Sequence, residues 1–189
     1  MHLKVIRLFD IILASVGLIV LLPFAFLFVP LLYLETGSPF FLQKRLGQGK
    51  KPFTLIKLRT MTQGTASVAT HLVPPTSVTQ VGKYLRASKL DELPQLFNVL
   101  SGQMSIVGPR PCLITQHAVV EERQKLNVFS IKPGITGLAQ INGIDMSDPS
   151  KLAELDGILV TNFSLKMYVS IILQTIIGRG FGDNVMPKS

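Results

Sequence analysis

Asp91 and Glu92 stand side by side in the run Ser88-Lys89-Leu90-Asp91-Glu92-Leu93-Pro94. Neighbours on a helix are about 100° apart, so two adjacent carboxylates fan around one rim. They can share a divalent cation, or one can attack an electrophile while the other holds the metal. Carboxylates combined with substrate phosphates suit Mg²⁺. A plainer reading competes: acidic residues are favoured at a helix N-terminus, and Ser88 with Asp91 fits a capping box. Gly108-Pro109-Arg110-Pro111 is a stiff loop carrying one guanidinium. An Arg fork binds phosphate through two parallel donors, and the prolines on either side, Pro111 included, fix its approach. Without context the same four residues also read as a surface turn. Lys57 and Arg59 alternate across Leu58, so on a strand they share one face. There they can bind phosphates or lipid headgroups, or simply face water. Cys112 is the only cysteine. No partner that would lower its pKa is legible beside it, so it reads as a packing residue.

The elements that position these side chains include a membrane segment. The chain has 189 residues, 47% of them hydrophobic, with a mean hydropathy of +0.41. Its formal net charge of +8 calls for an anionic partner: nucleic acid, an anionic bilayer surface or phosphate ligands. No nucleic-acid motif appears, and three histidines with one cysteine argue against a structural zinc site. From Ile11 to Leu34 there are 24 residues without a charge. As a helix this run is long enough to cross a bilayer core of about 30 Å. Pro23 lies near its middle, where the ring removes a backbone donor and kinks a helix. Both flanks are basic: His2, Lys4 and Arg7 precede the run, and Lys44, Arg45, Lys50, Lys51, Lys57 and Arg59 follow it. Basic flanks prefer the cytoplasm. A bent, re-entrant helix keeps both inside, whereas a straight span must put one outside.

Pro39–Arg45 and Pro52–Lys57 read as a β-hairpin around the turn-rich stretch between them. Thr62–Gln80 has no Asp, Glu, Lys or Arg and contains Pro74-Pro75, which predicts a loop. Val81–Leu100 has helical spacing, and Pro94 fits the first turn of a helix starting near Ser88 or Asp91. Leu113–Leu126 reads as a charged surface helix and Lys132–Gly143 as a loop. Ser164–Ile177 reads as an amphipathic helix, lying either on a membrane surface or against the core. The expected fold is mainly α with a small β-hairpin. Residues 1–36 form a re-entrant membrane helix broken at Pro23, with its flank. Residues 37–189 form a catalytic domain with membrane-surface helices.

In order and spacing these segments resemble the small monotopic polyprenyl-phosphate phosphoglycosyl transferases of the bacterial sugar transferase family. The resemblance begins at Arg7-Leu8-Phe9-Asp10-Ile11 and the helix containing Pro23. It continues through Gly37-Ser38-Pro39-Phe40-Phe41, Gln43-Lys44-Arg45-Leu46-Gly47 and Lys57-Leu58-Arg59-Thr60-Met61. Its most specific block is Leu90-Asp91-Glu92-Leu93-Pro94-Gln95-Leu96, Asn98-Val99-Leu100, Met104-Ser105 and Val107-Gly108-Pro109-Arg110-Pro111. Lys132-Pro133-Gly134-Ile135-Thr136-Gly137 and Ala139-Gln140-Ile141-Asn142-Gly143 complete it. The chain departs from the family pattern at Leu22, where Ser often precedes the proline, and at Ile144-Asp145, where Arg commonly follows Asn-Gly. It also lacks Trp.

The resemblance implies a Mg²⁺-dependent, monotopic enzyme on the cytoplasmic face of the bacterial inner membrane. It would move a sugar-1-phosphate from a UDP-sugar to undecaprenyl phosphate through an aspartyl-phosphosugar intermediate, releasing UMP. That would be the first membrane step of a glycoconjugate pathway. The resemblance makes Asp91 the nucleophile, Glu92 a residue that positions metal and phosphate, and Arg110 a phosphate ligand. It also makes the Pro23 helix re-entrant. The alternative is a non-catalytic basic scaffold anchored to the membrane, and UMP release separates the two.

Overall fold

The computed structural model describes residues 2–64 and 77–178 of the chain. The fold is mostly helical. Helix α1 is one element from His2 to Thr36 and contains Pro23 and Pro30. The helix therefore continues through Pro23 instead of ending there, so any effect of the ring on its course is a bend and not a gap. Exposure varies along α1 in a definite order. Ile6, Asp10 and Ala14 are buried at helical spacing, residues 22–27 are all exposed, and Leu32 and Thr36 are buried again. The helix thus touches the rest of the protein at both ends and leaves it in the middle. The apolar stretch Leu3–Thr36 has a mean hydropathy of 2.8 over its most apolar window, only 6% of which is buried.

Both ends of α1 grip the segment that carries Asp91 and Glu92. Arg7 donates through Nη1 to the carbonyl of Val99 at 2.7 Å and through Nη2 to that of Leu100 at 3.0 Å. Both carbonyls lie at the C-terminus of a short helix, where the Val99 carbonyl also accepts from the Gly102 N–H at 3.0 Å. At the other end, Glu35 Oε1 accepts from the backbone N–H groups of Gln80, at 2.9 Å, and Val81, at 3.4 Å. These are orphan donors at the start of another helix, where a carboxylate is favourable. Asp10 Oδ1 fastens α1 further, accepting from Ser105 Oγ at 2.8 Å, the Ile106 N–H at 2.9 Å and Tyr168 Oη at 2.9 Å.

Strands β1 (Phe40–Leu46) and β2 (Pro52–Leu58) form the expected antiparallel hairpin, with Lys57 opposite Phe41. The next connection was read as a loop over Thr62–Gln80. Residues 65–76 of it lie outside those described, and Met61 and Val78 meet in an antiparallel bridge. The helical stretch Val81–Leu100 is divided. Helix α2 (Gln80–Ala87) ends at Ser88, and Lys89 turns left-handed with φ 58°. A single 3-10 turn covers Leu90–Glu92, and Pro94 opens α3 (Gln95–Leu100). Ser88 does not start a capping box. Its hydroxyl donates to the carbonyls of Tyr84 and Leu85, at the end of α2.

Strand β3 (Ser105–Val107) pairs in parallel with β4 (Gly134–Thr136), so Lys132–Gly143 is more ordered than the expected loop. It also holds the short helix α5 (Leu138–Ile141). Glycine count suggested a loop, but close packing is the reason for the glycines here. A β-carbon on Gly134 would collide with the backbone nitrogen of Gly108, and one on Gly108 with the carbonyl of Lys132. Helix α4 (His117–Lys125) is shorter than expected and is not purely a surface helix, because Arg123 on it is fully buried. Helices α6 (Pro149–Thr161) and α7 (Leu165–Ile176) complete the chain's described part. Tyr168 and Ile171 of α7 pack with Ile6, Val107 and Leu159, while Val169, Leu173, Ile176 and Ile177 remain exposed. Cys112 is buried among Leu46, Val119, Ala139 and Leu152, in keeping with a packing role.

Candidate active site

The 3-10 turn sets the directions of the two carboxylates. Successive residues in a 3-10 turn are about 120° apart, and the left-handed Lys89 aims the turn inward. Asp91 is 7% exposed and accepts no hydrogen bond from a described side chain. Glu92 points to a pair of cations. Its Oε1 lies 2.9 Å from Lys57 Nζ and 2.6 Å from Arg110 Nη2, and Oε2 lies 3.4 Å from Arg110 Nη1. Asn98 explains why Lys57 arrives there. From α3 its side chain accepts from the Ile56 N–H at 3.1 Å and donates to the Thr54 carbonyl at 2.8 Å. This side-chain pairing locks α3 against the edge of β2, one residue before Lys57.

Arg110 is held by its main chain as firmly as by its guanidinium. Pro109 O accepts from Gly134 N at 2.9 Å, and Arg110 O from Arg123 Nη1 at 2.7 Å. Pro111 O accepts from Arg45 Nη1 at 3.0 Å, and Cys112 O from Leu46 N at 3.0 Å. Consecutive carbonyls of this loop are thus tied to β4, α4 and the hairpin. Pro111 is buried and contributes backbone to this clasp.

Of the side chains expected at the site, the fold brings together Asp91, Glu92, Lys57 and Arg110. Arg59 goes elsewhere. Strand β2 ends at Leu58, so the face expected to be shared by Lys57 and Arg59 does not persist. The Arg59 guanidinium donates to the carbonyls of Ser38, at 3.0 Å, and Phe40, at 3.1 Å, and sits 5.6 Å from the Phe41 ring centroid. It closes the join between α1 and the hairpin. Arg86 enters the site instead. Its Nε donates to Thr60 Oγ1 at 2.8 Å, its buried Nη1 has no hydrogen-bond partner among the described residues, and its charge acts on Asp91. Arg86 lies five residues before Asp91, a spacing that places it near the acidic pair only because the chain turns left-handed at Lys89.

The environments push the two carboxyls apart. Burial raises Asp91 from 3.8 to about 6; Lys57, Arg86 and Arg110 oppose the rise, and the charge of Glu92 adds to it. Burial also acts upward on Glu92, but the charges of Arg110 and Lys57 and their hydrogen bonds hold its carboxyl well below the usual carboxylate range. Glu92 is therefore held as an anion between two cations, while Asp91 is a buried carboxyl that accepts no hydrogen bond among the described residues. Three cations, Lys57, Arg86 and Arg110, thus act on Asp91, and two of them also act on Glu92.

The chain matches the model of the bacterial sugar transferase family over residues 1–180. It is 44% identical over 144 residues to the uncharacterized sugar transferase EpsL of Bacillus subtilis, covering 76% of this chain and 71% of that one. It is 38% identical over 190 residues to the UDP-glucose:undecaprenyl-phosphate glucose-1-phosphate transferase of Klebsiella pneumoniae, covering 93% of this chain and 40% of that one. To the UDP-N-acetylgalactosamine-undecaprenyl-phosphate N-acetylgalactosaminephosphotransferase of Aeromonas hydrophila it is 36% identical over 186 residues, covering 92% of this chain and 43% of that one. The chain thus spans about two fifths of the length of these last two relatives.

Proposed function

The chain belongs to the bacterial sugar transferase family, and from that premise we propose that it transfers a sugar-1-phosphate from a UDP-sugar to undecaprenyl phosphate. The observation that carries this reading is a buried carboxylate, Asp91, set beside an acidic residue that gathers Lys57 and Arg110. A scaffold that only grips lipid has no use for a buried carboxyl that no described residue hydrogen-bonds.

In the proposed reaction an Asp91 oxygen attacks the sugar-bearing phosphorus. The bond from that phosphorus to the bridging oxygen breaks, and UMP leaves with the electron pair. The phosphosugar remains on Asp91 as an acyl phosphate. An oxygen of undecaprenyl phosphate then attacks the same phosphorus and the carboxylate is restored. Dividing the transfer in two lets a soluble donor and a lipid acceptor use one site in turn. Attack by an anion on an anionic diphosphate requires neutralising charge. Arg110, Lys57 and Arg86 supply it, and Glu92 keeps the first two aimed before the donor arrives.

Mg²⁺ fits this donor set. Among the described residues no cluster of three or more His, Cys, Asp or Glu is placed to hold a metal, so phosphates of the donor would complete the shell, as Mg²⁺ prefers. Asp91 and Glu92 would hold the ion, and when bound it would add positive charge against the diphosphate. Glu92 already carries two cations on its carboxylate, so Asp91 would be the more open of the two ligands.

The monotopic, re-entrant placement on the cytoplasmic face is part of the same proposal. Support comes from the two anchored ends of α1. Between Arg7 and Glu35 a straight helix would measure about 42 Å, whereas residues 80–100, which they grip at either end, would measure about 30 Å even as one straight helix. A bend in the exposed stretch around Pro23 reconciles these lengths and puts its apex deepest in the bilayer. The exposed apolar stripe of α7 beside the buried end of α1 suits the same membrane surface.

The test is incubation of the protein with labelled UDP-sugar and Mg²⁺, without acceptor. One phosphosugar should be added, seen by intact mass, with matching UMP release, and undecaprenyl phosphate should discharge it. Asp91→Asn should show neither adduct nor turnover. Transfer that needs both substrates together and leaves no adduct would make Asp91 a base or metal ligand, and the two-step scheme would fall.

A further inference from the structure

We infer that the buried pair Arg123–Asp156 positions Arg110, so that helix α6 sets the geometry of the phosphate-binding loop. The inference rests on the reading of Arg110 as a phosphate ligand. Arg123 on α4 and Asp156 on α6 are each 1% exposed. Arg123 Nε donates to Asp156 Oδ2 at 2.9 Å, and Nη2 lies 2.7 Å from the same oxygen. Nε holds Asp156 by a hydrogen bond and Nη2 by charge alone, and because the guanidinium is planar this edge contact sets the direction of the remaining donor. That donor, Nη1, reaches the carbonyl of Arg110 at 2.7 Å.

Stability alone does not account for this arrangement. A fully buried ion pair is weak support for a fold, because desolvation offsets its attraction, and apolar residues of similar volume often serve as well. Here the pair is also incompletely satisfied: Asp156 Oδ1 is buried with no hydrogen-bond partner among the described residues. What an apolar pair cannot supply is a directed donor to the main chain of Arg110. The resulting chain of contacts runs from Asp156 to Arg123, to the Arg110 carbonyl, and through the Arg110 guanidinium to Glu92. Among the described residues, its far end on α6 makes no hydrogen bond or ion pair to Asp91 or Glu92. Arg123 and Asp156 are positioning residues; neither touches the reacting atoms in this scheme.

The test uses the whole chain in detergent. Arg123→Met with Asp156→Leu removes both charges together, leaving no unpaired ion. Arg123→Lys, made separately, keeps a charge for Asp156 but lacks the planar fork. Two readouts are taken. The first, independent of activity, is hydrogen–deuterium exchange: both variants should exchange faster over residues 106–114 and unchanged over the hairpin, residues 40–58. The second is a mutant cycle on single-turnover UMP release. Each variant should slow release roughly ten- to a hundredfold in the Arg110 protein, as expected when a phosphate ligand is misplaced, and add little in an Arg110→Ala background. Unchanged exchange at 106–114, faster exchange everywhere, or equal losses in both backgrounds would overturn the inference. If the wild type itself releases no UMP, the proposed function fails, and the exchange measurement still decides whether Arg123 holds the loop.

Discussion

At the scale of single residues, the proposed chemistry rests on two adjacent carboxyls made unlike by their neighbours. In that scheme Asp91 must be ionised to attack, and burial raises it to about 6. Adduct formation without acceptor should therefore rise with pH through a midpoint no higher than about 6, since bound Mg²⁺ would draw the carboxyl further down. Lys57 is the largest influence drawing Asp91 downward, so Lys57→Met should move that midpoint up as well as slow the step; a pH–rate series of the adduct checks both. The linkage to stability has opposite sign for the two groups. Ionising Asp91 is disfavoured in the folded state, so stability falls as pH rises from about 4 to about 6. Glu92 contributes stability that is present above its ordinary value and lost as pH falls below it. Arg110→Lys keeps the charge but loses the fork that spans both Glu92 oxygens. Losing a charge-assisted bond to a buried anion amounts to about 1.5–3 kcal/mol, or roughly ten- to a hundredfold in turnover. Wild-type turnover by this variant, at unchanged expression and membrane association, would remove Arg110 from the site. Residue types that suit phosphate chemistry pointed to Asp91, Glu92, Lys57 and Arg110 in the sequence, and the fold gathers these four. Arg86 and Arg123 were not legible there, because a basic residue in a helix usually faces water, and nothing local signals that a distant hydroxyl or carboxylate will bury it. Arg59 misled for the converse reason: alternation on a strand means nothing once the strand has ended.

At the scale of elements, the hairpin and α7 were readable from alternation and helical spacing. The break between α2 and α3 was only half readable. Pro94 marked the restart, but no residue type announces a left-handed lysine at position 89. The β3–β4 pair hid behind glycines that signal loops as often as close contact. Asp10 shows how such elements are joined. One carboxylate oxygen receives three buried donors, from β3 and α7. Asp10→Ala would leave the Ser105 hydroxyl, the Ile106 N–H and the Tyr168 hydroxyl unpaired in the interior. We expect a loss on the order of 3 kcal/mol, read as a lower midpoint of thermal unfolding in detergent. Tyr168→Phe removes one of those donors together with its need for a partner and should cost less. Equal midpoints for Asp10→Ala and the wild type would mean that α1 is held by its apolar contacts alone.

At the scale of the whole molecule, the proposed re-entrant path sets α1 two demands. It enters the bilayer, and both its ends reach the body that carries Asp91 and Glu92. Basic flanks in the sequence point to one side for both ends, and in the structure Arg7 and Glu35 bond to backbone groups at opposite ends of the segment bearing Asp91 and Glu92. A helix that crossed the bilayer would have to release one of these contacts and leave a helix end without its partner. The path of α1 is therefore tied to the geometry of the site, and topology becomes testable with single cysteines. Placed at Lys4 and at Lys50, both exposed, in a Cys112→Ala background, they should resist an impermeant thiol reagent in intact cells. Both should react once the membrane is opened. Reaction of one site and not the other from outside would establish a span and end the re-entrant reading. Pro23→Leu restores the backbone donor that the ring removes and relieves its clash with the preceding turn. This straighter helix should lengthen toward a span, so a fraction of molecules should then label at one end from outside. Because a span pulls Arg7 or Glu35 from its partner, adduct formation on Asp91 should fall in the same proportion as the labelled fraction rises. Loss of activity without any change in labelling would show instead that Pro23 matters for the seat of the helix within one leaflet and not for its direction.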